Sequence, residues 1–366
     1  MRLVPALLPV ALCVVTSWAQ QVIPVANPGF EANFARPNNW SIVIPTGWSL
    51  YDPNFIVDQN PDSVGVLNPT GSTYFPAGAP EGSNVCLLFF SGDIGAGPAG
   101  VQQTVAHQVL ANTRYELRVQ VGNIDSGTAA PPLDIYGYFE LRGFPGYAVQ
   151  LLAGGTVVAQ DFDTLAATLG EGQFAPTTVV YTSPASGPAV GQPLTVRLLN
   201  LNQRWSPTFP GIEVDFDDVR LNYTSCPTAI AVNPSQTQCQ GQPVELQVLA
   251  HGTVPLTFAW RRDGVLIEDG GAVSGATTAT LHLDAAMLGD AGSYTCTITN
   301  ACGSIDSQPI QLSICAGDYN CDGGIDGSDI EAFFVAWEQG TADINEDGGT
   351  DGADVEMFFV RWEQGC

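Results

Sequence analysis

"IEVDFDDVRLNY", residues 212–223, alternates in a way that sets the fold of the first half of the chain. Val214 and Phe216 are apolar, Asp215 and Asp217 are acidic, and the two kinds interleave with a period of two, as in a strand whose one face meets a core. Successive side chains leave a strand on opposite faces, so Asp215 and Asp217 are predicted to share one face, with Phe216 and Asp218 on the other. The segments upstream have the same character: "YELRVQVGNI" (115–124), "YAVQLLAGGTVVAQ" (147–160), "TTVVYTS" (177–183) and "LTVRLLNL" (194–201). Turn clusters such as "NPTG" (68–71), "AGAPEGSN" (77–84) and "GAGPAG" (95–100) separate such runs, and no long helical period interrupts them. Residues 20–225 are therefore expected to form one antiparallel β-sandwich.

The 366 residues carry 37 acidic side chains against 11 basic ones, every basic residue being arginine. The net charge of −26 leaves neither a basic stripe nor a basic helix, which excludes nucleic acid and anionic membranes as partners. "MRLVPALLPVALCVVTSWA" (1–19) has an arginine, a short apolar run and small residues before Gln20, the pattern of a secretory signal. No later segment is apolar enough to span a membrane. Eight cysteines follow the leader, an even number that in an exported chain favours disulfides. The expected location is extracellular or at the cell surface. His107, His251 and His282 are isolated and read as surface or strand residues.

The acidic excess concentrates in 315–366, where one phrase occurs twice. Asp318, Asn320, Asp322, Asp326 and Asp329 recur as Asp343, Asn345, Asp347, Asp351 and Asp354. Counted from the first Asp, these oxygen donors stand at positions 1, 3, 5, 9 and 12 of a loop, with glycine (Gly323, Gly348) at position 6. Gly324 and Gly349 stand at position 7, where a main-chain carbonyl serves. This spacing predicts two calcium loops. Each continues into an apolar stretch with Phe333, Phe334 and Trp337, mirrored by Phe358, Phe359 and Trp362, which are expected to pack the two repeats together. Such a pair brings its ends close, and Cys315 and Cys366 are expected to form a staple.

Three resemblances follow from these residues. "NPGFE" (27–31), "PTGW" (45–48), "PEGSNVCLLFF" (80–90), "FPGYAVQLLAGG" (144–155) and "VDFDDVRL" (214–221) resemble jelly rolls of carbohydrate-binding type and the Stig cyclases, which rearrange hapalindole-type alkaloids. The jelly-roll resemblance implies a structural calcium held by Glu31 and by Asp217 or Asp218. "CQGQPVELQVLAHG" (239–252), Trp260 and Asp290-x-Gly292-x-Tyr294-x-Cys296 resemble an immunoglobulin-like domain over 226–314. Val248 stands where such domains usually carry their strand-B cysteine, so Cys239 becomes the candidate partner of Cys296, and Cys226 that of Cys302. Residues 315–366 resemble a type I dockerin ending in Gly-Cys. The expected class is mainly β: an N-terminal jelly-roll sandwich, an immunoglobulin-like sandwich, and a small all-α dockerin with paired EF-hand-like loops.

For function, no nucleophile–base motif, zinc-protease motif, P-loop or dinucleotide fingerprint is present. The leading expectation is a secreted, non-catalytic binding or scaffold protein in polysaccharide catabolism. It would recognise a polysaccharide or other glycan with rings drawn from Trp40, Trp48, Tyr51, Tyr74, Phe75, Tyr136, Tyr138, Phe139, Trp205 and Phe209. Its dockerin-like end would attach to a cohesin-like or other envelope protein, though Gly327-Ser328 and Gly352-Ala353 depart from the Ser-Thr pair of cellulosomal dockerins. The alternative is an enzyme in the N-terminal sandwich, either glycoside-processing through two carboxylates or cyclase-like. For the latter the resemblance implies a last-strand Asp as proton donor, and Asp215 is the candidate. A deep, apolar, aromatic-lined cavity near Asp215 would favour catalysis; a shallow exposed ring face would favour binding.

Overall fold

The computed structural model describes residues 20–57, 62–91, 96–203, 211–232, 234–345 and 347–366. The expected leader (1–19) lies outside them, as do Trp205 and Phe209. The described residues form two compact units, Gln21–Cys226 and Pro227–Cys366.

The first unit is a β-sandwich. Its strands are β1 (Gln21–Ile23), β2 (Asn39–Ser41), β3 (Ser49–Tyr51), β4 (Ser63–Asn68), β5 (Val85–Phe89), β6 (Ala99–Gln108) and β7 (Thr113–Asn123). After them come β8 (Gly127–Thr128), β9 (Tyr138–Phe139), β10 (Tyr147–Ala153), β11 (Thr156–Phe162), β12 (Gln173–Thr182), β13 (Pro193–Asn200) and β14 (Glu213–Ser225). One sheet has the order β12-β7-β14-β5-β4-β2, with β1 also paired to β14; the other is β11-β10-β13-β6-β3. All these pairings are antiparallel. Between the sheets lies a core that includes Phe30, Val66, Leu88, Val101, Tyr115, Leu151, Leu198 and Phe216. The strand β14 is central to its sheet and the longest in the unit, which is why its outer face can floor a site.

The expected alternation along β14 holds for its first half only. Val214 and Phe216 enter the core and Asp215 faces outward, but the pairing with β7 shifts register between Asp217 and Arg220. Asp218 takes φ 49° at this bulge. Strict alternation would have driven Asp218 and Arg220 into the core, where unpaired charges are costly. The extra residue instead turns Val219 and Leu221 inward and leaves Asp218 to meet Arg220 at 2.6 Å. The expectation that Asp218 shares the face of Phe216 is corrected accordingly.

The second unit begins with an immunoglobulin-like sandwich. Its strands are β15 (Thr228–Ala231), β16 (Ser235–Cys239), β17 (Val244–His251), β18 (Thr257–Arg262), β19 (Val265–Leu266), β20 (Val273–Ser274), β21 (Thr280–Leu283), β22 (Gly292–Asn300), β23 (Gly303–Asp306) and β24 (Ile310–Cys315). Trp260 is buried opposite Cys296, and the Tyr294 hydroxyl donates to the Asp290 carbonyl at 2.7 Å, closing the expected tyrosine corner. Val248 is buried as expected. Cys239, however, bonds to Cys321 and not to Cys296, which remains a free buried thiol. Cys239 ends β16 alongside Cys315 of β24, so it opens toward the following segment and away from the core. Cys226 and Cys302 are each half of a disulfide.

Residues 315–366 form two loop–helix repeats, α1 (Gly327–Glu338) and α2 (Gly352–Gln364). Asp326 and Asp351 cap them, each accepting from a main-chain N–H two residues on. Phe333 and Phe358 are buried and stack with centroids 4.3 Å apart. The Trp337 indole donates to the Asp351 carbonyl and the Trp362 indole to the Asp326 carbonyl, so each repeat is tied to the other's loop. Cys315 and Cys366 are bonded, as the pairing of the repeats implies.

Candidate active site

On the outer face of β14, Glu213 and Asp215 stand two residues apart and point the same way, because their neighbours Val214 and Phe216 are in the core. Glu213 pairs with Phe89 of β5; Asp215 pairs with Leu87 of β5 and Gly122 of β7. Such a face of a sheet would ordinarily meet water. Here the turn carrying Tyr74 and Phe75 and the segment containing the β8–β9 hairpin and a short 3-10 turn (Leu133–Tyr136) cover it. Leu67, Leu87, Ile124, Leu141 and Ile212 form a second apolar cluster beneath that cover.

The covered space is a cavity of about 630 Å³. Rings of Trp40, Tyr74, Phe89, Tyr136 and Phe139 line it, with Trp40 and Phe139 in an edge contact at 5.3 Å. Glu213 is the sole charged side chain among its described lining residues. Among the described residues, Glu213 Oε1, both Asp215 carboxyl oxygens and the Tyr74 hydroxyl are buried without a hydrogen-bond partner. Buried polar atoms are nearly always satisfied, so four orphans in one place mark a site that holds strain or receives a ligand.

Burial decides the protonation of these groups. It pushes the Glu213 carboxyl up to about 8. Burial, reinforced by the Glu213 charge, holds Asp215 well above the ordinary carboxylate range. The Tyr74 hydroxyl is raised too, by burial first and by Glu213 second. At neutral pH the face thus carries protonated acids in an apolar, aromatic environment, which is the condition for general-acid work.

The other expected residues are placed elsewhere. Asp217 is buried; its Oδ2 accepts from the Glu81 N–H at 2.8 Å and its Oδ1 from the Asp218 N–H at 2.7 Å. Burial pushes it up to about 8, against those two bonds. Glu31 Oε1 accepts from the Ser83 and Asn84 N–H groups, both at 2.7 Å, so Glu31 and Asp217 hold the same 81–84 turn. Gly82 permits this, since a Cβ there would lie 2.4 Å from Glu31 Oε1. In the C-terminal loops, Asp318 accepts from the Asp322 and Gly323 N–H groups, and Asp343 from those of Asp347 and Gly348. Asp329 and Asp354 reach back to the N–H groups of Asn320 and Asn345, while Gly323 and Gly348 turn at φ 90° and 91°. This is the donor order expected of calcium loops. Among the described residues, no three His, Cys, Asp or Glu side chains gather closely enough to hold a metal ion.

Of the expected rings, Trp48, Tyr74 and Phe75 are buried, and Trp40, Tyr74, Tyr136 and Phe139 line the cavity. Glu213 escaped the sequence reading. Its signal was its place two residues before Asp215 on the same face of an otherwise apolar strand.

A β-sandwich with buried acids on the outer face of its last strand, beside a ring-lined cavity, followed by an immunoglobulin-like domain, defines the class of this protein. Residues 21–222 match the HpiC1-like family, described as HpiC1 cyclase, and the chain belongs to that family. Residues 227–300 match the immunoglobulin domain family. Among solved structures, a Stig cyclase, Fisc, from Fischerella sp. TAU in complex with (3Z)-3-(1-methyl-2-pyrrolidinylidene)-3H-indole is 37% identical, with a TM-score of 0.48 over 56% of this chain and 98% of that one. Another cyclase from Fischerella sp. TAU is 35% identical, with a TM-score of 0.49 over 57% of this chain and 98% of that one. Mouse Hemicentin-1 is 37% identical over 68 residues, 19% of this chain. The mouse basement membrane-specific heparan sulfate proteoglycan core protein is 36% identical over 90 residues, 24% of this chain. The chain spans only 1% and 2% of the length of these two relatives.

Proposed function

We propose that the N-terminal sandwich is an enzyme that cyclises or rearranges a small, largely apolar, ring-bearing molecule by acid catalysis. The proton comes from a carboxyl of β14, and Asp215 is the residue the cyclase resemblance implies. The observation that carries this reading is the pair of buried acids with unpartnered oxygens on one face of β14, Glu213 in the wall of an aromatic cavity and Asp215 two residues further along the strand. Family membership supports it over a non-catalytic glycan-binding scaffold. The rings also speak for it, because they line a concave cavity of about 630 Å³ and do not form a flat sugar platform. Indole-bearing alkenes are the substrates to try first, since the family includes Stig cyclases. Binding of 4-(1H-indol-3-yl)butan-2-one, present in a solved Fischerella cyclase, tests the pocket by calorimetry. The full chain binds it, and Leu133→Trp, which fills the cavity from its cover, abolishes binding; equal binding by both proteins refutes the assignment.

Calcium belongs to the same proposal. The donors are Asp318, Asn320, Asp322, Gly324, Asp326 and Asp329 in one loop, with Asp343, Asn345, Asp347, Gly349, Asp351 and Asp354 in the other. Glu31 and Asp217 would hold an ion in the sandwich. Bound calcium supplies cross-bridging and neutralises the crowded carboxylates. The immunoglobulin-like domain and the disulfides are compatible with an extracellular protein. The C-terminal repeats are then the attachment end, for a cohesin-like or other envelope protein.

A further inference from the structure

Two disulfides meet where the immunoglobulin-like sandwich passes into the loop–helix repeats. Cys239 ends β16 and Cys315 ends β24, and the two stand directly opposite each other in a parallel ladder. Opposite residues of a ladder share a face, and neighbouring strands run about 4.8 Å apart. Each of these inner cysteines is bonded to an outer one, Cys239 to Cys321 and Cys315 to Cys366. Cys239 Sγ lies 3.0 Å from the Asp318 carbonyl oxygen, so its bond leaves the sheet over the residues that follow Cys315. Cys315 is 2% exposed, whereas Cys321 and Cys366 are exposed. This arrangement offers a third pairing. A spacing of about 4.8 Å falls within the roughly 4.4–6.8 Å that a disulfide spans between Cα atoms, so Cys239 and Cys315 can bond to each other once an outer partner is released.

We propose that these four cysteines form a thiol–disulfide exchange site that captures a thiol-bearing partner at Cys366. The partner's thiolate attacks Cys366 Sγ; the Cys315–Cys366 bond breaks and its electron pair goes to Cys315 Sγ. Left there, that thiolate would attack the mixed disulfide and expel the partner. Cys239 gives it another course. Cys315 Sγ attacks Cys239 Sγ, the Cys239–Cys321 bond breaks, and its electron pair goes to Cys321 Sγ, which takes a proton from water. One mixed disulfide, one Cys239–Cys315 bond and one free thiol at Cys321 result, with no net oxidation. The thiolate that could eject the partner is consumed, so the capture persists. The chemistry is independent of the acid-catalysis reading and needs neither calcium nor a cohesin-like surface.

The surroundings favour entry at Cys366 and exit at Cys321. Cys321 lies within the first acidic loop, where the Asp318, Asp322 and Asp329 carboxylates all bond main-chain N–H groups of residues 320–324. An incoming thiolate is repelled there. Glu363 is the one acid within three residues of Cys366. Cys321 is also held at φ 60°, a left-handed backbone that non-glycine residues adopt at a cost, so opening its bond releases a constrained position. The free cysteines Cys86 and Cys296 stand apart from this exchange. Both are buried, and burial raises the Cys86 thiol well above its ordinary value and the Cys296 thiol up to about 11.

The test treats the oxidised full chain with cysteamine, a small cationic thiol suited to a net charge of −26, and in a separate arm with a folded protein bearing one surface cysteine. Reactions are quenched with N-ethylmaleimide and non-reduced peptides are mapped by mass spectrometry. The probe on Cys366, a Cys239–Cys315 bond and maleimide on Cys321 should rise together. Capture of both probes makes the site an attachment point and capture of cysteamine alone a modification site; either supports the proposal. In a chain carrying Cys239→Ala and Cys321→Ala, capture at about 0.1 mM cysteamine should fall about tenfold, because Cys315, at an effective concentration in the millimolar range, expels the probe. Undiminished capture there overturns the proposal. The mapping of the unaltered chain stands whether or not that variant folds. A probe on Cys321 with Cys315–Cys366 intact, maleimide on both Cys239 and Cys315, or capture of neither probe overturns the proposal as well.

Discussion

Replacing Glu213 by glutamine should change how the stability of the sandwich depends on pH. Burial raises this carboxyl from its ordinary value of 4.5 to about 8, so the folded state holds a proton that the unfolded chain releases. The sign follows directly. Stability from this group is fully present below pH 4.5, declines as pH rises toward 8, and changes no further above it. Within that window the decline is about 1.4 kcal/mol per pH unit, amounting to about 5 kcal/mol across it. Glutamine carries no titratable proton, so its variant should lose that slope. A buried amide with unmet hydrogen bonds adds a penalty of about 1–3 kcal/mol, but one independent of pH. The two proteins should therefore cross: the variant is less stable at pH 5 and more stable at pH 9. The assay is urea unfolding of the full chain between pH 5 and 9, read by pulse hydrogen exchange on peptides from β7 and β14. The other titratable residues are present in both proteins, and the variant also relieves Asp215 of the Glu213 charge that helps to raise it, which acts in the same direction. Parallel stability curves across the window would refute the argument, because they would mean that Glu213 is ionised in the folded state.

Gly122→Ala should displace the Phe174 ring, which a Cβ there would approach to 2.5 Å, and cost about 1–3 kcal/mol, seen as faster exchange in β7 and β12. Unchanged exchange would show that the ring does not fill the space above Gly122. Cys366→Ser removes a bond that closes a separation of 51 residues, worth about 4 kcal/mol in the chain-entropy model, and should cut the protection of α1 and α2 accordingly. Undiminished protection would remove the staple from the account. Calcium added to the calcium-free chain should raise the protection of the 318–329 and 343–354 loops, and a chelator should reverse it; loops indifferent to both would discard the proposed ions.

The sandwich and its last strand were legible because burial alternates along a strand, and that alternation is written in the order of residues. That Asp215 and Phe216 take opposite faces followed from it. The bulge after Asp217 did not, since the register shift is set by pairing with β7, about a hundred residues upstream in the chain. Glu213 was invisible for a related reason. An acid at the start of a strand usually meets water, and only the turn bearing Tyr74 and the segment through Phe139 bury it. The Cys315–Cys366 bond was readable from the internal repeat, which brings two ends together. The Cys239–Cys321 bond depends on where β16 ends beside β24, and no spacing encodes that.

The central claim is that a carboxyl at this cavity protonates carbon, and the label it leaves can be counted. The full chain is incubated in D₂O with a panel of indole-bearing alkenes, and products are analysed by mass spectrometry alongside the Asp215→Asn and Glu213→Gln chains. The account predicts an isomeric product carrying one solvent deuterium, formed by the unaltered protein and lost when the donating carboxyl of β14 is replaced. Conversion without deuterium, or with equal deuterium in all three proteins, would contradict it.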